Sequence, residues 1–365
     1  MVREKTRGRR SISVPTVTIR AKRGDVMPWI LRLIARFALG LAVVLASAWS
    51  SLALWYRLPV PEGLRVAIAL LFLLLGVVTI ATSFSRYQLA ALSAFTTAVW
   101  WSTISPLDRA DWAPDVARPV TGSVEGHRLT LTNVRDFAWH DGQEATERWV
   151  TQSYDLDKLR TLDPFMSYWA GPEMAHVILS FGFEGDEYLA WSIEVRRTRG
   201  GEFSPIADLF KSNPLILVAA DERDVVRVRS NLRGEDVQLY RLKASPEAAR
   251  RLLLEYVSDA NELVVQPQFY NSLTTNCTTM AVKMMQAVGA SIPFDWRLIV
   301  NGYLPDYAYA RGALDTRVSL PALKARAHID ARARQAGGSP RFSQLIRVDV
   351  PSLRDMASAN SRELE

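Results

Sequence analysis

Two long apolar runs, 37–55 and 66–83, stand close together near the start of the chain, and nothing else in the sequence restricts its architecture as much. Each approaches the ~20 residues that an α-helix needs to cross the ~30 Å hydrocarbon core of a bilayer. Arg36 and Arg57 bound the first run, and Pro59, Pro61 and Gly63 break the chain before the second, so the pair reads as two spans joined by a turn. The first run lies late, no small-residue cleavage site follows it cleanly, and a second span comes at once, which argues against a cleaved signal peptide. A third run, 88–104, is shorter and ends on Trp100 and Trp101. Aromatic pairs of this kind favour the membrane interface, so a third span is expected, with an interfacial or buried helix as the alternative.

Charge orients these spans. Arg3, Lys5, Arg7, Arg9, Arg10, Arg20, Lys22, Arg23, Arg32 and Arg36 all precede the first apolar run, and the link 83–87 carries one Arg and no acid. Both features mark the cytoplasmic side, so three spans from a cytoplasmic arm put everything after residue 105 on the outer face of the membrane, whereas two would leave it inside. The basic arm also accounts for the net charge of +6 by attraction to anionic headgroups, which makes membrane lipids the expected partner and nucleic acid an unneeded one. The expected organisation is a basic arm (1–28), a membrane region (29–104), a soluble mixed domain (105–350) and a charged tail (351–365). A single cysteine rules out an intrachain disulfide and suits an oxidising compartment. His127, His140, His176 and His328 show no ligand spacing, so no metal and no other cofactor is expected.

Within the soluble part, strands are expected at 127–134, 215–220, 225–228 and 237–243, and a mixture of turn and short helix at 156–168. Ser245 followed by Pro246 opens an amphipathic helix over 247–259. The most informative stretch is 270–279, where Thr and Asn residues precede a helical pattern that stops at Gly289. Asn276 is the expected N-cap, which sets Cys277 on the first turn. Free backbone N–H groups and the positive helix end there favour the thiolate, the nucleophilic form of sulfur. A lone cysteine in an ordinary domain is more often a small buried hydrophobe, so a base beside it decides the matter.

Residues 175–196 supply one. They read as a hairpin turning at Gly185, in which paired residue numbers sum to 370, so that Phe181 opposes Leu189, Leu179 opposes Trp191 and Val177 opposes Ile193. One face is then wholly apolar, and the other sets His176, Ile178, Ser180 and Gly182 against Glu194, Ser192, Ala190 and Tyr188. Opposed Cβ atoms lie about 4.5–5.5 Å apart, close enough for Glu194 to orient the His176 imidazole. Cys277 as nucleophile, His176 as base and Glu194 as its orienter form a candidate triad, with Asn276, Ser180 and the Cys277 N–H as support for an oxyanion. The alternative is a half-buried polar strand pair. The other three histidines have no carboxylate that pairing can place opposite them and read as surface residues.

The segments 105–117, 132–139, 167–183, 191–197 and 270–279 together resemble the family of membrane-anchored bacterial proteins with an Lnb-type periplasmic domain, over residues 105–348. Its namesake is a lipoprotein intramolecular transacylase, with further spans after its domain, whereas no apolar run follows this one. The resemblance implies an α+β, permuted papain-like thiol enzyme domain, with the histidine strand before the cysteine helix, preceded by transmembrane helices. It implies Cys277 as nucleophile and His176 as base, at the outer face of the bacterial inner membrane. The expected function is thiol-dependent acyl transfer or hydrolysis on lipid, with bacterial lipoproteins as the narrower substrate. A cell-wall peptide amidase using the same residues and a non-enzymatic, membrane-tethered binding domain are the alternatives.

Overall fold

The computed structural model describes residues 26–81, 87–140, 144–348 and 350. Most of the basic arm, most of the link 83–87 and the charged tail lie outside them. The chain divides into an N-terminal helical unit and a larger unit that holds Tyr56–Pro59 and takes up the chain again from Trp100.

The helical unit holds α1 (Val26–Arg57), α2 (Glu62–Ala81) and α3 (Tyr87–Ser102). Trp29–Arg57 and Glu62–Thr79 are long and apolar enough to cross a membrane. α1 and α2 come together where the Ser51 hydroxyl donates to Ala69 O at 2.7 Å, and a Cβ on Gly76 would lie 2.6 Å from that of Ser47. Small residues permit this close approach between the two helices. The run expected as a third span is helical over 16 residues, ~24 Å at ~1.5 Å per residue.

The larger unit is a mixed α/β structure. Its strands are β1 (Thr121–Glu125), β2 (Arg128–Arg135), β3 (Ala138–Trp139), β4 (Ala145–Thr146), β5 (Trp149–Asp155), β6 (Leu159–Tyr168), β7 (Ala175–Phe183), β8 (Glu187–Val195), β9 (Leu215–Ala220) and β10 (Asp236–Leu239). All but the small β3–β4 pair join one sheet of order β1-β2-β9-β8-β7-β6-β10, with β5 also on β2. The β7–β8 register is the expected one: Leu179 pairs with Trp191 and Phe181 with Leu189.

Because side chains alternate along a strand, the two sheet faces differ in what covers them. Val177, Leu179 and Phe181 join Leu189, Trp191 and Ile193 beneath α5 (Pro246–Val265) and α6 (Cys277–Ala287). Ile178 and Ala190 face the other way, toward α4 (Glu222–Val225), α9 (Asp330–Ala336) and α10 (Phe342–Leu345). α7 (Leu304–Ala310) and α8 (Leu320–Ala327) lie between α6 and α9 in the chain. Ser245 caps α5 as expected, its hydroxyl accepting from Ala248 N, and the helix runs on to Val265.

Two expectations fail. After a single turn at 156–158, residues 159–168 form a ten-residue strand rather than turn and helix. Asp163 and Pro164 hide its pattern, and Asp163 tolerates burial because Arg241 and Arg347 both bind it, at 2.8 Å and 3.0 Å. Val225–Val228 is no strand: Asp221 caps α4 by accepting from Arg223 N, and the chain then winds as a π-helix over Val228–Arg233.

Candidate active site

The β7–β8 hairpin parts at its open end, and that parting makes the site. Its ladder stops at Ile178 and Ser192, although β7 continues against β6 to Ala175 and β8 against β9 to Val195. In an antiparallel ladder every second residue aims both its backbone groups at the same neighbour, so Leu179, Val177 and Ala175 all turn theirs toward β8. With β8 gone, other groups take its place. The Asn301 side chain accepts from Ala175 N at 2.9 Å and donates to Ala175 O at 2.7 Å. Val177 N–H donates to the Cys277 sulfur.

Cys277 enters this opening as the first residue of α6. Asn276 caps the helix as expected: its Oδ1 accepts from Thr278 N and Thr279 N, both at 2.9 Å, and the Thr279 hydroxyl accepts from Asn276 N at 2.8 Å. The Asn276 Nδ2 donates to Ser272 O at 2.7 Å, so this amide also holds the loop at the edge of the cleft. Thr278 ties the helix to the sheet. Its hydroxyl accepts from Asn301 Nδ2 at 2.8 Å and gives its own proton to the Cys277 sulfur. Gly302 lets the Asn301 turn sit on the β6–β7 loop, since a Cβ there would come 2.7 Å from the Glu173 carbonyl carbon.

His176 is hydrogen-bonded to the thiol on one side and to a relay on the other. Its Nε2 lies 2.7 Å from Ser192 Oγ and 3.1 Å from Glu194 Oε1, and the Ser192 hydroxyl donates to the same Glu194 oxygen at 2.6 Å. Ser192 has one proton and gives it to Glu194, so it must accept from His176 Nε2–H. The proton therefore sits on Nε2, which leaves Nδ1 for the thiol. Arg229, from the π-helix, donates to Glu194 and to Glu235 at 3.2 Å each, and Glu235 also accepts from the Ser167 hydroxyl.

These contacts set the charges. Burial pushes the Cys277 thiol up, but the His176 hydrogen bond and charge, the Val177 N–H and the Thr278 hydroxyl together bring it below its ordinary value. Burial and Arg229 push the His176 imidazole down, and Glu194 with the Cys277 hydrogen bond more than offsets them, raising it to about 9. Burial alone would raise Glu194, yet His176 and Arg229 hold it well below the carboxylate range. These shifts favour thiolate beside imidazolium over the neutral pair. The Tyr270 hydroxyl lies against the Cys277 backbone N–H, and burial, with the nearby Cys277 and Glu194 charges, keeps it protonated.

A cleft of about 290 Å³ opens over His176, Glu194, Tyr270 and Cys277, with the partly exposed Trp169, Met174 and Phe203 on its walls. Ser180, expected beside the oxyanion, lies elsewhere: it is fully buried and its hydroxyl donates to Glu222. It shares the His176 face of β7 but sits four residues along, about 13 Å away. Ser192 occupied the same polar face as Glu194 in the sequence and was open to the same reasoning. Asn301 and Arg229 carry no local signal.

Residues 145–302 match the family model of the Lnb N-terminal periplasmic domain. The chain carries an Lnb domain. Neither the curated proteins nor the solved structures compared with the chain contain a match to it. Cys277, His176, Ser192, Glu194, Arg229, Tyr270 and Asn301 all fall inside the matched segment, which is shorter than the expected 105–348. The Lnb domain follows two helices of membrane-crossing length and composition.

The remaining histidines of the Lnb unit are surface residues, but two have carboxylate partners that strand pairing did not reveal. His127 Nδ1 meets Asp157 at 2.9 Å and His328 Nδ1 meets Asp236 at 2.6 Å, while His140 Nε2 meets the Thr146 hydroxyl at 2.9 Å. Asp236, His328 and Asp330 bring three potential metal-ligand atoms within 4.8 Å of one another. All three are already engaged, His328 with Asp236 and Asp330 with Val237 N.

Proposed function

We propose that the Lnb domain is a thiol-dependent acyltransferase or acyl hydrolase that acts on lipid-linked substrates. The observation that carries this reading is the continuous chain Cys277–His176–Ser192–Glu194, in which a lowered thiol meets a raised imidazole. In the first step the Cys277 thiolate attacks an ester or amide carbonyl, and the oxyanion that forms is held by the Cys277 N–H and the Tyr270 hydroxyl. The bond to the leaving group then breaks, and the His176 imidazolium protonates the departing alcohol or amine, leaving a thioester on sulfur. In the second step an acceptor amine or water gives its proton to His176 and attacks the thioester, and Cys277 leaves as thiolate. Ser192 and Glu194 orient His176 and stabilise the imidazolium each time it forms, and Arg229 keeps Glu194 ionised.

The order of a histidine strand before a cysteine helix supports a permuted papain-like fold. The basic arm, the apolar helices and the periplasmic family together support a multi-pass protein of the bacterial inner membrane, with the thiol domain on the periplasmic side. Bacterial lipoproteins are the narrower substrate within this reading.

The test is a mass shift. Full-length protein incubated with diacyl phospholipid or a diacylated lipopeptide, then quenched in acid, gains one acyl chain on Cys277 that hydroxylamine removes. A muramyl peptide that acylates Cys277 in place of lipid would replace the lipid reading with a cell-wall amidase. A sulfur inert to all of these would leave a binding domain.

A further inference from the structure

Beside the thiol cleft lies a second hollow of about 300 Å³. Thr278 and Leu298 line both, so it begins one residue from the nucleophile. Along α6 its wall is Thr278, Ala281, Val282 and Met285, a single stripe at helical spacing. Of the polar side chains around it, Ser291 and Arg311 lie at its exposed edge and the others are turned to other partners. The Tyr240 hydroxyl donates to Gln238 Oε1 at 2.6 Å, the Tyr307 hydroxyl to Pro293 O at 3.1 Å, and Thr278 is held by Asn301. The interior is therefore apolar, and it runs from Thr278 to Met285, about 10 Å along the helix. Such a length exceeds the reach of a leucine or phenylalanine side chain. The segment that closes this side also turns Phe294, Trp296 and Ile299 to solvent, at 81%, 56% and 62% exposure. Large apolar side chains clustered on a surface beside a hollow mark an apolar partner.

We propose that this hollow is the acyl-chain subsite of the thiol centre: it holds a linear hydrocarbon chain whose carbonyl lies at Cys277 and whose tail runs along α6 toward Met285. The proposal rests on the thiol-enzyme reading and adds which group the enzyme retains in the thioester. A cell-wall peptide has no segment of this length and polarity. Each methylene taken from water into such a site is worth about fourfold in affinity, so the site selects long chains over short ones.

The experiment uses the full-length protein in lipid nanodiscs with palmitic acid bearing a diazirine near its terminal methyl. After irradiation, cross-links are expected in the peptides of α6 and α7, and excess palmitate should remove them where excess acetate does not. Ala308→Phe and Val282→Trp each fill the hollow from a partly exposed position and should lower these cross-links by more than about tenfold, while those to α1 and α2 persist. Absence of α6 and α7 cross-links in the unaltered protein would overturn the proposal, as would equal competition by acetate and palmitate. Cross-linking needs no reaction at sulfur, so an inert Cys277 would sink the enzyme reading and leave this result to stand or fall by itself.

Discussion

At the scale of single residues, the site depends on one buried charge being kept by another. Without Glu194, burial and Arg229 both act to discharge His176, and the thiolate loses its counter-ion. In Glu194→Gln the midpoint of iodoacetamide labelling at Cys277 should therefore move up, toward or beyond the ~8.5 of a free thiol, and an unmoved midpoint would show that the relay does not govern the sulfur. The same pairing bears on stability. An imidazole raised to about 9 contributes its full share to folding below its unfolded value of ~6.5 and loses it as pH climbs through about 9. The pairing of His176 with Glu194 was legible in the sequence because a tight turn at Gly185 and a clean apolar face fix one register. Ser180 shared that face and was misplaced, since alternation tells which side a residue faces but not which neighbour it meets.

At the scale of elements, α6 has two supports of different kind. Its own cap, Asn276, is local, and Asn276→Ala should cost about 1 kcal/mol. Asn301 is remote: it replaces β8 along the edge of β7 and holds Thr278 at once. Asn301→Ala leaves the Ala175 backbone groups buried and unpaired, so a loss on the order of 3 kcal/mol is expected, or roughly 6–12 °C in melting temperature. Thermal melting of the two variants gives the ranking, and a larger loss for Asn276→Ala would mean that the cap, not the sheet, seats the helix. The cap was readable from its sequence. The parting of the strands was not, because Val177 and Ile193 continue the apolar pattern beyond the point where their ladder stops.

At the scale of the whole molecule, the matched segment ends at Gly302, yet the sheet is completed from outside it. β1 and β2 precede the match, and Arg347 reaches in from beyond α10 to bind Asp163 at 3.0 Å and Glu222 at 2.6 Å, with its guanidinium stacked over Tyr188. Removing one member of such a buried cluster would strand the others, which ties the far end of the chain to β6 and α4. Topology belongs to this scale as well. A reporter fused after residue 110 should be active in the periplasm and silent in the cytoplasm. The opposite result would remove α3 from the count of spans and set the Lnb domain on the inner side of the membrane.

The sequence by itself determined the apolar helices, the hairpin and its register, the capped cysteine helix and the His176–Glu194 pair. Each is written in short-range periodicity or in one turn, where a residue and its neighbours along the chain settle the conformation. Tertiary structure alone decided that β7 and β8 part to admit Cys277, that Asn301 and Arg229 serve the site from distant segments, and that Asp163 can lie inside a strand. Those outcomes depend on hydrogen bonds and charges between residues far apart in the chain, and a buried polar group finds its partner only when the fold brings the two together.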